Sequence, residues 1–331
     1  MAHEIEVVNG VAQHVYVGET PWHGLGKQIP ADLSPDQVLV AAGLDWNVIK
    51  SPLTTTTPDG TEVMINGKAA LLRDRDNTVL DVIGDDWEPL QNADAFNFFD
   101  DLVREGNMQM HTAGSLKGGR IVWALAKISE SFDVKGMEDR VDSYLLLSNP
   151  HMYGRSIDVR FTPIRVVCNN TLSMALQKGS SKNAVRISHK RRFDPEQVKE
   201  MLGLASFKLS QYKEAADFLA SKRWDLQSLL RFYGTVFPSN ESTRKIKAGE
   251  RLDLDDMTRN GEECMELLDT QPGAQFARGS FWQAFNSVTY FLDHIAGRSA
   301  DTRLQSAWYG ANQQKKLAAI DAALEIAKTA A

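Results

Sequence analysis

The apolar positions follow two different rhythms along this chain. Up to about residue 190 they form short, β-branched runs bounded by turn residues; beyond it they recur at helical spacing. HVYVG (14–18) reads as a strand. SPDQVLVAAGL (34–44) reads as a short helix, with Ser34 as N-cap, Pro35 at the first helical position and Gly43 near its end. WNVIKSPLTT (46–55) is a strand interrupted by Pro52, and PDG (58–60) is turn chemistry. Residues 62–84 carry two turn signals, Asn66-Gly67 and Asp76-Asn77, and predict a hairpin or meander. NADAFNFFDDLVREG (92–106) predicts a helix capped by Asn92, with Ala95, Phe96, Phe99, Leu102 and Val103 on its apolar face. Residues 108–128 predict a hairpin turning at Lys117-Gly118-Gly119-Arg120, and 140–150 and 156–168 predict further strands. In the last of these, Ile157, Val159 and Phe161 fall on one face and Asp158 and Arg160 on the other, so Arg160 is expected to be free to face a ligand. Asn170 is a plausible cap for a helix over 171–179.

From Asp194-Pro195 onward the segments show 3.6-residue periodicity, with 238–251 reading as a polar loop. The spacing Phe281, Phe285, Val288, Leu292, Ile295 predicts one buried helix face. Strands clustered without strict βαβ alternation give the fold class α+β: an antiparallel, hairpin-rich sheet with packed helices, followed by a helical C-terminal region. The expected domains are 1–193, containing the basic segment 155–192, and 194–331.

Composition narrows the setting. The 331 residues are 43% apolar and 24% charged, ordinary globular material of a length that suits two domains. Two cysteines, Cys168 and Cys264, build no disulfide framework and no C-x-x-C pair, which fits a reducing, cytoplasmic setting. MAHEIEVVNG lacks the basic and apolar regions of a secretion leader, and no apolar run approaches the ~20 residues of a membrane span.

Charge changes the picture more. Residues 154–192 hold nine Lys and Arg (Arg155, Arg160, Arg165, Lys178, Lys182, Arg186, Lys190, Arg191, Arg192) against Asp158 alone, a local net charge of +8. The whole chain is −6, so the remainder is −14. A segment of this kind neutralises phosphates, the largest contribution to nucleic-acid affinity; solvated charges paired with the surplus acids are the plainer alternative. The hairpin tip GSLKGGR adds Lys117 and Arg120 beside two glycines, where cations and backbone amides could cradle a phosphate, or where glycines simply reverse the chain.

Catalytic chemistry has no signature. TPWHGLGK lacks the Walker spacing, because Gly26-Lys27 is followed by Gln28 and Pro21 stands five before Gly26. Trp22 and His23 on that loop could stack on a base or fill a gap. No H-x-x-x-H, G-x-S-x-G or calcium-loop pattern occurs. His14, His23 and His111 leave only a minor enzyme reading, and no cofactor or metal is expected.

Several stretches taken together are similar to one family. TPWHGLG, NADAFNFFDDL, TAGSLKGGRIVWALAKI, FTPIRVVCNNTL and WQAFNSVTYFLDHI resemble the phage/plasmid-like protein family built on domain of unknown function 932, over nearly the whole chain. One departure is NPHMYGR (149–155), where Met152-Tyr153 stands in place of the family's acidic residue. The resemblance implies a mobile element in a bacterial cytoplasm and, by a further step of fold analogy, a likeness to phage single-strand annealing recombinases. The leading expectation is single-stranded DNA (or RNA) binding and annealing in recombination by a homo-oligomeric ring or filament. Arg155, Arg160, Arg165, Arg186, Lys190, Arg191 and Arg192 would contact phosphates, with Lys117 and Arg120 assisting. The alternative is an accessory protein that binds a host partner protein, such as a defence antagonist.

Overall fold

A computed structural model describes residues 5–21, 24–104, 108–165, 170–171, 184–190, 193–194, 205–297, 306–307 and 310–329. In chain order, β1 (Val7–Val8), β2 (Val11–Ala12), β3 (His14–Tyr16) and β4 (Lys27–Gln28) precede helix α1 (Pro35–Ala41). Then come β5 (Val48–Thr56), β6 (Glu62–Arg73), β7 (Val79–Gly84), α2 (Asn92–Asn97) and α3 (Asp100–Arg104). The strands β8 (Met108–Leu116), β9 (Ile121–Asp133), β10 (Arg140–Pro150), β11 (Ile157–Arg165), β12 (Asn170–Thr171) and β13 (Ala184–Ile187) follow. The C-terminal helices are α4 (Ala205–Ser221), α5 (Leu226–Val236), α6 (Asn240–Ala248), α7 (Arg259–Thr270), α8 (Phe281–Tyr290) and α9 (Ala311–Thr329). The fold is α+β with antiparallel sheets and a helical C-terminal region, as the residue pattern predicts. No described helix is long and apolar enough to cross a membrane.

The chain forms two compact units: Met1–Ser129 with Tyr144–Phe161 and Ala184–Gly203, and Glu130–Ser143 with Thr162–Asn183 and Leu204–Ala331. The main sheet runs in the order β12-β11-β10-β9-β8-β3-β4, with β13 also on β11, and β5-β6-β7 form a separate antiparallel sheet. The first unit's core joins Val15, Leu44, Leu71, Phe96, Val122 and Leu147.

Local chemistry explains the elements. Ser34 and Gln37 form a reciprocal capping box on α1, with Pro35 in the first turn. β8 and β9 pair from Met108↔Ile128 to Leu116↔Ile121, so the turn lies at 117–120 as expected. Asn66-Gly67 is not a turn: β6 runs through it, and the pairing with β5 shifts between Pro52 and Thr54, so the extra residues are taken up as a bulge. In β11 both faces are covered, since Asp158 and Arg160 are buried along with Ile157 and Val159. The helix expected over 171–179 starts instead as β12, with Thr171 paired to Ile164; residues 172–183 lie outside the described residues.

In the second unit, the segment expected as a polar loop contains α6. Ser239 caps it, Glu241 sits in its first turn, Lys245 and Lys247 in its last, and Gly249 ends it in the left-handed conformation. α8 is buried all round rather than on one stripe, and Ile295 is exposed where the helix widens to π geometry over Phe291–Ile295. Trp282 Nε1 donates to Asp139 Oδ2 at 2.8 Å, and the buried Lys316 ammonium meets Asp293 at 2.6 Å.

The hairpin tip at 117–120 is packed down. Gly119 has φ +87°, and a Cβ there would lie 2.9 Å from Arg73 Nη1. Arg73 cannot yield easily: it is buried, meets Glu6 at 2.5 Å and Asp76 at 2.7 Å, and lies 5.4 Å from the Trp46 ring centroid. Gly119→Ala combines a disfavoured backbone with this contact and is expected to lower stability by about 1–3 kcal/mol, read by urea unfolding.

Candidate nucleic-acid interface

The end of β10 leads into a tight turn that divides its side chains between interior and solvent. His151 N donates to Arg120 O at 2.8 Å, which fixes the turn against the β8–β9 hairpin. The His151 ring points inward and is fully buried, while Gly154 (φ +73°) reverses the chain and Tyr153 is left 66% exposed.

Beneath the turn lies a neutral polar cluster. Asn92 Nδ2 donates to Leu44 O at 3.0 Å and Trp46 O at 3.3 Å, so its Oδ1 is an acceptor. His151 Nε2 lies 2.9 Å from that oxygen and therefore carries the proton. Asn149 Nδ2 donates to Leu90 O at 2.8 Å. Burial, with a smaller effect from His189, pushes the His151 pKa down to about 3. His189 stacks on Trp87 with ring centroids 3.9 Å apart. Burial takes its pKa down to about 4, against the opposing pull of the Glu88 and Pro150 carbonyls.

Above the turn lies a charged surface. Asp81 Oδ2 accepts from Tyr153 N at 2.9 Å and from Arg120 Nη2 at 3.0 Å. Lys68 Nζ stands 5.7 Å from the Tyr153 ring centroid. Lys190 is paired with Asp86 at 2.5 Å; that hydrogen bond holds its ammonium above the usual range, with a smaller contribution from Tyr153. Arg155 is exposed. Among the described residues neither Lys68 nor Arg155 has a carboxylate partner.

The expected cations divide accordingly. Arg160 does not face a ligand: it is buried and ion-paired to Asp158, two residues earlier on the same strand face. Arg186, opposite Asp158 in the β11–β13 register, reaches the same carboxylate at 3.5 Å but stays 63% exposed. Lys117 is half-buried in a left-handed turn conformation, and Arg120 is engaged with Asp81. Arg165 closes β11 opposite Asn170, and its side chain lies outside the described residues, as do Lys178, Lys182, Arg191 and Arg192. Trp22, His23 and Cys168 also lie outside them. His14 is buried, with Nδ1 3.2 Å from Leu25 O, and His111 packs edge-on to Tyr144. Burial raises the Cys264 thiol pKa well above its ordinary value. Among the described residues no group of three or more His, Cys, Asp or Glu is placed to hold a metal ion. Tyr153 and Lys68 were not singled out as contacts by their sequence; an aromatic residue before Gly154 in a turn, where burial is hardest to achieve, is the one local signal for Tyr153.

Residues 79–308 match the family model of a domain of unknown function, DUF932. The chain belongs to the DUF932 family. No curated protein and no solved structure matches it. The DUF932 match takes in Asp81, Asn92, Arg120, His151, Tyr153, Arg155 and Lys190; Lys68 and the β5–β6 hairpin precede it.

The two histidines give this DUF932 protein a defined acid sensitivity. Both are neutral when folded and titrate near 6.5 once exposed, so their contribution is complete above pH 6.5. As pH falls below 6.5 the unfolded chain takes up protons that the native state refuses. Stability is expected to decline from pH 6.5 toward 4, and His151→Gln, which keeps a donor for Asn92, is expected to reduce the slope by up to ~1.4 kcal/mol per pH unit. Urea unfolding at a series of pH values measures both.

Proposed function

We propose that this protein binds single-stranded nucleic acid at the Tyr153 surface, and that it serves annealing in the recombination of a mobile element. The observation that carries the reading is the exposed Tyr153 ring with Lys68 above it and the exposed Arg155 two residues on, neither cation neutralised by a carboxylate. Single-strand binding without base readout needs this pair of features: a flat ring on which any base stacks, and cations that meet the backbone. Such contacts leave base edges free, as annealing requires.

Lys190 and Arg120 extend the cationic surface. Their ion pairs with Asp86 and Asp81 are at least partly solvent-exposed, and pairs of that kind contribute only ~0–1 kcal/mol, so a phosphate can displace the carboxylate. Arg186 shares the buried Asp158 with Arg160. Arg160 stays with Asp158 and is no part of the surface. The step to annealing is a fold-level analogy with phage annealing recombinases, drawn from an antiparallel hairpin sheet with packed helices.

Filter binding with a labelled oligonucleotide at low salt tests the reading. Tyr153→Ala is expected to weaken binding by about 1–3 kcal/mol on all sequences alike. Lys68→Ala and Arg155→Ala are each expected to lower the log–log salt slope by about 0.7. Absence of binding at low salt, or a Tyr153→Ala variant indistinguishable from the parent, overturns it.

A further inference from the structure

The sheet β5-β6-β7 outgrows its own support. β7 pairs with β6 from Lys68 to Leu72, whereas β5 pairs with β6 again over Thr54–Thr56 and Glu62–Met64. Past Lys68 the sheet is therefore a two-stranded arm closed by Pro58-Asp59-Gly60. Every β6 residue from Glu62 to Lys68 is exposed, and so are Thr54–Thr56. Val63 (43%), Met64 (59%) and Ile65 (36%) are consecutive and exposed, and neighbours in a strand point to opposite faces. A lone two-stranded hairpin is marginal in water, and open strand edges are templates for docking.

Charge identifies the occupant. The arm ends in Asp59, whose carboxyl is held below its usual pKa range by hydrogen bonds, the Thr57 hydroxyl first. Glu62 accepts from the Thr54 hydroxyl at 2.8 Å. Among the described residues neither acid meets a cation. At the arm's base Lys68 stands over the ring of Tyr153, two residues before the exposed Arg155, and neither cation meets a carboxylate. From Pro52, paired to Ala69 beside that base, the extended chain to Thr56 covers about 13 Å at ~3.3 Å per residue, and the turn places Asp59 beyond it. Acids without a cation and cations without a carboxylate thus mark opposite ends of one projection.

We infer that the arm of one molecule docks end-on against the base of the arm in a second copy of this chain. Asp59 and Glu62 meet Lys68 and Arg155, and Val63–Ile65 are covered. The two contacting patches differ, so the contact is heterologous and repeats into a ring or an open filament. It requires no nucleic acid, and because Lys68 and Arg155 are also the proposed phosphate contacts, arm docking and single-strand binding compete for the same two cations.

Sedimentation velocity of the full chain without nucleic acid tests the inference. Species heavier than the monomer are expected, their share rising with concentration and falling at high salt. Two charge-reversed variants, Asp59→Lys/Glu62→Lys and Lys68→Glu/Arg155→Glu, are each expected to dissociate at least ~10-fold more readily. Mixing the two variants is expected to restore association, because each supplies the charge that the other lacks. A parent that stays monomeric at every concentration, or variants that associate as the parent does, overturn the inference. Oligonucleotide binding enters none of these readouts, so the two proposals fail separately.

Discussion

The first unit depends on one buried side-chain amide. Asn92 stands at the start of α2, yet its donors reach back to the Leu44 and Trp46 carbonyls and its acceptor takes the His151 proton. Three segments far apart in sequence are thereby fixed to one point: the connection after α1, the helix itself and the turn after β10. A buried polar group left unmatched destabilises the fold, and Asn92 is matched at both its amide nitrogen and its oxygen, so it tolerates little rearrangement. Its consequence at the surface is the position of Tyr153. With His151 drawn inward and Gly154 reversing the chain, Met152 is half-buried and Tyr153 projects into solvent.

A second node sets the hairpin. Arg73 is buried between Glu6 and Asp76 against Trp46, and Ser115 Oγ donates to Glu6 Oε2. Removing such charges from water is unfavourable unless geometry and hydrogen bonds compensate, and here each oxygen has a donor. Gly119 fits over the guanidinium because it has no side chain. The glycines of GSLKGGR therefore serve close packing as well as chain reversal, and the tip is a fixed edge of the domain.

The basic segment illustrates how far linear charge is from surface potential. Its single acid, Asp158, accounts for both Arg160 and Arg186, because residues two apart share a strand face and the register of β13 brings Arg186 opposite. Asp81 and Asp86, from the unrelated β7 region, engage Arg120 and Lys190. Arg120, Arg160, Arg186 and Lys190 are thus engaged by carboxylates, with Asp158 offsetting only one of its two arginines. Among the described residues Arg155, and Lys68 and Lys117 outside the basic segment, meet no carboxylate.

What could be read from the residues alone was local. Caps and turn residues placed α1, the β8–β9 hairpin and the helical character of the C-terminal third, since those depend on neighbours within a few positions. The α6 signals were equally local, but a polar composition concealed them. Tertiary structure alone decided which polar strand face is covered, that Asn66-Gly67 is a bulge, and that Lys68 meets Tyr153, 85 residues away in sequence. Pattern along a strand reports which residues share a face; only the packed neighbours determine whether that face sees water, and exposure is what separates a structural charge from one able to bind.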